Sequence, residues 1–331
     1  PGHGHTPAPG YEAGPVMNYV VNAERANRGQ VKQVERAVAD ASGTVLASYP
    51  ETGVVVAQSD NANFAAAVRI HRAVESAGAT RTAEVLPTDP TYAGERSANA
   101  QRRLQATEGL AAGSQLEAVD EVVPDPLEAQ QWDMAAIGVP EAHAVTEGSE
   151  RVLVAVLDSG IDGDHPDLQA AVDTGASASC LSGVPDGAAE SWQPTTSSHG
   201  THVAGTIAAQ RNGVGIVGVA PGVRLSAVKV VSDDGFIYPE SAICGFMHAA
   251  ATGADITNNS YYIDPWMFWC GDDADQAAVL TAVERTTAFT ERRGVLNVAA
   301  AGNSSIDLAN KTVDDSSPND TTPVERPIDA G

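Results

Sequence analysis

The stretch Ser198-His199-Gly200-Thr201-His202-Val203-Ala204-Gly205-Thr206 holds the residues best suited to moving a proton. A histidine at the mouth of a tightly packed helix suits a general base. The glycines and alanine let that helix lie close against a sheet and leave the imidazole at the open end. Upstream, Asp158 ends the apolar run Val152-Leu153-Val154-Ala155-Val156-Leu157, where a carboxylate can orient an imidazole and stabilise its charged form. His199 and His202 are three residues apart and share a helical face, so two chemistries are open. One is a histidine base. The other is a zinc site, for which a companion ligand pattern such as H-E-x-x-H is absent. A third group is Asn303, after Ala299-Ala300-Ala301-Gly302. The small residues admit a substrate backbone, and an amide at a strand end can donate to a developing oxyanion.

The elements that must position these groups read as two units. Residues 1–15 are rich in Pro and Gly and are expected to be disordered; His3 and His5 within them form at most a weak metal grip. The next segment reads as a strand over 16–21 and a helix over 30–39 with Val31, Val34 and Val38 on one face. Strands follow over 44–49 and 54–57. A helix capped by Asn61 carries Phe64, Val68 and Ile70 and stops at Gly78, and a last strand covers 82–86. This β-α-β-β-α-β order predicts a small ferredoxin-like α+β domain over 16–86. Residues 87–127 read as a linker with a helix over 98–110. From 128 onward strands (151–158, 224–231, 255–259, 295–301) alternate with helices (140–146, from 199 to about 210, 239–252, 275–293). That alternation predicts an α/β domain with a doubly wound parallel sheet over 128–331. Ligands bind such sheets at the carboxyl ends of strands, where Asp158 and Asn303 fall.

Asp158-Ser159-Gly160, His199-Gly200-Thr201-His202 and Ala300-Ala301-Gly302-Asn303, in that order, resemble the subtilisin-like serine proteases. The resemblance implies that Asp158 and His199 are two members of a catalytic triad, that His202 packs behind them, and that Asn303 is the oxyanion donor. Ser260-Tyr261-Tyr262 resembles the segment that pairs with substrate and walls its primary pocket, with tyrosines where the family has Leu and Gly; Ala301 and Gly302 belong to the same surface. His165-Pro166-Asp167-Leu168 and residues 210–216 resemble the two parts of the family's calcium site. Hard oxygen ligands for Ca²⁺ would then be the side chains of Asp167 and Asn212 and the carbonyls of Gln210, Val214 and Ile216. The domain over 16–86 resembles the family's inhibitor-type propeptide, and cleavage to release it is expected between Leu110 and Gln131.

The family's nucleophile follows the aspartate and histidine in a G-T-S-M-A-type turn, and no Gly-x-Ser of this sequence fits that role: Gly148-Ser149 precedes Asp158, and Ser304 belongs to the Asn303 turn. Loss of the serine alone costs subtilisin about 10⁶-fold in kcat, so these residues by themselves are expected to be inactive. The sequence then reads as a chain cut before its serine, a cleavage fragment or a pseudoprotease. Three cysteines, Cys180, Cys244 and Cys270, leave one without an internal partner. A net charge of −24 argues against nucleic acid as a partner. No apolar run reaches the roughly 20 residues of a membrane span. The start at Pro1 looks like a chain whose leader has been removed. The combined expectation is a secreted, monomeric endopeptidase precursor acting on proteins or peptides and inhibited by its own propeptide. The alternatives are a protease inhibitor acting in trans and a zinc hydrolase.

Overall fold

A computed structural model describes residues 10–93 and 124–328. The helix expected over 98–110 and most of the expected cleavage region lie outside the described residues.

The N-terminal domain is β1 (Ala13–Ala23), α1 (Arg28–Asp40), β2 (Gly43–Tyr49), β3 (Val54–Asn61), α2 (Phe64–Arg69) and β4 (Val74–Ala79). Its strands form one antiparallel sheet in the order β2-β3-β1-β4, the ferredoxin-like arrangement. Asn27 caps α1 by accepting the Gln30 N–H, and Val31, Val34 and Val38 are buried as their spacing requires. The first strand begins at Ala13, so residues 13–15 are strand rather than tail. The last strand is corrected too: it is β4 over 74–79, and residues 82–86 form no strand; α2 stops at Arg69, Ile70 is exposed, Gly78 lies inside β4 instead of ending a helix, and Asn61 ends β3 rather than capping α2.

Alternation along β1 separates two jobs. Tyr19, Val21 and Ala23 pack with Val31, Val34, Phe64 and Val68 in the domain's own core. Asn18, Val20 and Asn22 face the other way, toward the second domain.

The second domain opens with a short 3₁₀ turn (Glu128–Gln130), α3 (Trp132–Ala136) and α4 (Val139–His143). Then come β5 (Leu153–Asp158), β6 (Ala178–Ser179), α5 (Ala189–Trp192), α6 (His199–Ala208), β7 (Arg224–Lys229), α7 (Pro239–Thr252), β8 (Ile256–Asn259), α8 (Ala274–Arg292) and β9 (Leu296–Ala299). The sheet order is β6-β7-β5-β8-β9, all parallel. Every residue of β5 is buried because both its faces are covered. Leu153, Ala155 and Leu157 pack with Ala242, Phe246 and Ala249 of α7, while Val154 and Val156 pack with Ala204 and Ala208 of α6. A two-stranded hairpin, β10 (Val313–Asp314) and β11 (Arg326–Pro327), follows. A disulfide joins Cys180, after β6, to Cys244 in α7; Cys270 is free and buried.

The N-terminal sheet lies across α7 and α8. Val20 and Val54 share a cluster with Ile243, Ala278, Val279 and Ala282. Asn22 Nδ2 donates to the Ala278 carbonyl at 2.8 Å, and Tyr49 donates to the Gly183 carbonyl at 3.0 Å. Arg69 pairs with Asp275 and Arg285 with Glu75. Gly78 sits opposite Val20 in the ladder, and a Cβ there would run into the backbone of Asp275. Its missing side chain is what lets β4 approach the start of α8.

Candidate active site

Asp158 is the last residue of the central strand, so its carboxylate emerges at the carboxyl edge of the sheet between β7 and β8. The chain then turns sharply at Gly160, whose φ of +97° favours glycine. The turn brings α6 in beside the strand end. Gly200, the second residue of α6, is so close that a Cβ would meet the Gly160 carbonyl and stand 3.0 Å from the Asp158 Cβ. Ser159 reinforces the junction: its hydroxyl donates to the Ser197 carbonyl and accepts the Gly200 N–H at 3.0 Å.

His199 starts α6 and lies against Asp158, with Nδ1 2.9 Å from each carboxylate oxygen. Because that partner is a carboxylate acceptor, Nδ1 is the nitrogen that carries the proton, and Nε2 is left as the base. The Asp158 side chain is 3% exposed and also accepts the Ser159 N–H at 2.7 Å. The His199 side chain is 55% exposed, so its free nitrogen faces outward. A buried anion holding an open imidazole in one tautomer is a general base built for proton transfer.

His202 does not pack behind this pair. It is exposed, because α6 buries Gly200, Ala204, Gly205 and Ala208, and position 202 falls on the opposite side of the helix. Among the described residues no third His, Cys, Asp or Glu groups with the two histidines.

The remaining expected residues fall nearby to different degrees. Tyr261 donates to Asn259 Oδ1 at 2.9 Å; burial pushes its hydroxyl well above the usual tyrosine value, and the charge of Asp158 adds to this, which places the ring in that carboxylate's field. Ser260 accepts from Asn258 Nδ2, and Tyr262, 42% exposed, accepts from Asn319 Nδ2. Ala301, Gly302 and Asn303 are exposed beyond β9, with Gly302 at φ +87°, and among the described residues Asn303 makes no hydrogen bond to Asp158 or His199.

A second cluster lies behind the carboxyl end of α6. Asp167 is buried; its Oδ2 accepts the Ile216 N–H at 3.1 Å, and its backbone carbonyl accepts the Gln210 N–H. Asn212 is instead turned to its own loop, accepting from Val214 and donating to the Pro166 carbonyl. Sequence reasoning missed Asp125. It is buried, takes the Gly213 N–H, and leaves Oδ2 without a partner, just as Asp167 leaves Oδ1. Burial pushes the Asp167 carboxyl up, and the charge of Asp125 pushes the same way against the Ile216 N–H. Two buried carboxylates with orphaned oxygens, both accepting from the 213–216 loop, fit a hard cation. The only signal in the sequence was Asp125 in Val123-Pro124-Asp125-Pro126, read as linker.

The segment around Asp125 is anchored to this cluster. Leu127 N–H donates to the Gly215 carbonyl, Gln131 exchanges two 2.9 Å bonds with Val217, and Arg211 pairs with Glu128 and Glu147.

A parallel α/β sheet with an aspartate at its central strand and a histidine base on the adjoining helix defines a subtilisin-like fold. Residues 149–330 match the subtilase family, peptidase S8, and the chain belongs to that family. It is 33% identical over 189 residues to fervidolysin of Fervidobacterium pennivorans, covering 55% of this chain and 25% of that protein. It is 32% identical over 194 residues to subtilisin E of Bacillus subtilis (59% and 45%), and 39% identical over 176 residues to subtilisin BL of Lederbergia lenta (52% and 55%). Among solved structures, the epidermin leader peptide processing serine protease of Staphylococcus aureus shares the fold with a TM-score of 0.62 at 19% identity, over 90% of this chain and 62% of that one. Fervidolysin, a keratinolytic enzyme, does so with a TM-score of 0.56 at 23% identity, over 91% and 44%. The chain thus spans a quarter of fervidolysin and about half of the subtilisins. Among the described residues no helix is long and apolar enough to cross a membrane.

Proposed function

We propose that this chain is the precursor part of a secreted, monomeric subtilisin-like serine endopeptidase, with residues 16–86 as propeptide, 87–127 as the maturation linker and 128–331 as catalytic domain. The observation that carries the reading is the His199 Nδ1 contact of 2.9 Å with the buried Asp158 carboxylate. His199 Nε2 takes the proton of a serine hydroxyl as that oxygen bonds to the substrate carbonyl carbon. The negative charge that develops on the carbonyl oxygen is met by the Asn303 amide. The imidazolium, steadied by Asp158, then returns the proton to the leaving amine as the peptide C–N bond breaks. Ser260, Tyr261, Tyr262, Ala301 and Gly302 form the surface along which a peptide lies. The 331 residues hold no serine in the required motif, so they are inactive by themselves.

Calcium fits the second cluster. Asp167 and Asp125 supply carboxylate oxygens, Asn212 an amide oxygen after a side-chain rotation, and Gln210, Val214 and Ile216 carbonyls. The ion would neutralise a buried pair of like charges and fix the loop behind α6. Cleavage before Asp125 keeps that ligand in the mature enzyme.

The propeptide reading is supported by the way the N-terminal sheet covers α7 and α8. The test is intact mass of the natural protein together with fluorophosphonate labelling. A labelled species whose sequence runs past Gly331 supports the reading. A natural protein that ends at or before Gly331 and does not label overturns it in favour of a pseudoprotease or an inhibitor acting in trans.

A further inference from the structure

Glu240, in the first turn of α7, is 0% exposed, yet the catalytic domain gives its carboxylate no partner of its own among the described residues. Both donors come from the N-terminal domain. The Arg81 guanidinium pairs with Oε1, and Asn18 Nδ2 donates to the same oxygen at 2.7 Å. Oε2 is buried with no partner. The Arg81 guanidinium also lies over the Tyr238 ring, its Cζ 3.7 Å from the centroid. A carboxylate beside an aromatic face is a receptor for a planar cation, and arginine fits both parts better than lysine.

The charges of further carboxylates reach the same side chain. Burial pushes the Tyr238 hydroxyl up; the Arg81 charge opposes this, and Asp320, Glu240 and Asp264 add to it. Asp264 accepts the Ile237 N–H at 2.6 Å. The segment that ends at Tyr238 begins at Val230 and Val231, whose N–H groups bond to the Asp158 carbonyl. One strand connection therefore runs from the proposed catalytic aspartate to this pocket. Departure of the N-terminal domain removes both donors at once and opens the carboxylate and the Tyr238 ring to a new cation.

Resting on the protease reading above, we propose that the Glu240–Tyr238 pocket is a specificity site for an arginine side chain of the substrate, which Arg81 fills in the precursor. Residues 125–331 alone carry a net charge of −20, which favours the approach of such cationic peptides.

The test uses the mature natural enzyme and peptides carrying one arginine, or its neutral isostere citrulline, at each of eight positions around the scissile bond. At one position arginine should be preferred by about 10- to 100-fold in kcat/KM. Glu240→Gln should reduce that arginine-to-citrulline ratio to about 1, and Glu240→Asp should restore part of it. Because each enzyme is its own reference, a general loss of activity does not mimic the effect. Labelling by fluorophosphonate with no discrimination at any position, or a preference that survives in Glu240→Gln, overturns this inference and leaves the protease reading standing. Absence of labelling overturns both.

Discussion

Gly78→Ala should loosen the N-terminal domain without unfolding the second one. The added Cβ would be placed 2.8 Å from the Asp275 carbonyl carbon, with the carbonyl oxygen nearer still. Neither atom belongs to a flexible side chain, so β4 and the start of α8 must separate by about 0.5–1 Å. A gap of that size forfeits a quarter to a half of the dispersion attraction at each affected contact. Here those contacts involve Val20, Val54, Ala278, Val279 and Ala282. Overpacking of this kind costs about 1–3 kcal/mol, or about 5- to 140-fold in the docking equilibrium. Undocking bares one face of β1, so the protection of its amides is coupled to docking. Hydrogen exchange should therefore quicken by about 5- to 140-fold in β1 and β4 and stay unchanged in β5 and β7. Exchange within twofold of the parent in β1 and β4 would refute the reasoning, as would an equal increase in β5.

Replacing Cys180 and Cys244 by alanine opens a loop with a sequence separation of 64; loop-closure entropy predicts a loss of about 4 kcal/mol, read from the denaturant midpoint. Chelation should lower the melting temperature, by an amount equivalent to about 2.7 kcal/mol when calcium had stood at 100 times its Kd. Asp125→Asn and Asp167→Asn should lose that calcium response. Burial pushes the Asp89 carboxyl up, but the Arg81 guanidinium and the hydroxyl and N–H of Thr91 outweigh it and hold it below the usual carboxylate range. A folded value below the unfolded one gives stability that is complete above about pH 4 and lost as pH falls through the folded value. The protection factors at residues 81–91, with the intrinsic pH dependence of exchange divided out, should thus be flat between pH 5 and 8 and fall only below about pH 4.

The Asp158–His199 pair was legible because its positions are set by local rules. An unbroken apolar strand must be buried on both faces, its end must open at the sheet's edge, and Gly160 and Gly200 permit the close turn between strand and helix. The docking face was not legible. Asn18 and Asn22 alternate with Tyr19 and Val21 just as solvent-facing residues would, and only the partner domain shows that they are buried against Glu240 and Ala278. Gly78 misled for the same reason: its lack of a side chain serves α8, a contact almost 200 residues away in sequence. Asp125 was hidden in a proline-rich stretch because its role depends on a loop near Gly213. His202 follows from helix geometry that its motif partner His199 obscured.

The role of Asp158 is the point on which the account turns. Asp158→Asn in the mature natural enzyme leaves a side chain of the same size against His199 but removes the charge and the fixed tautomer. Loss of the corresponding aspartate costs subtilisin, a relative, about 3 × 10⁴ in kcat, and a fall of about that size, carried by kcat rather than KM, is the predicted result. A change of less than about tenfold would contradict the assignment of Asp158 and His199 as the catalytic pair.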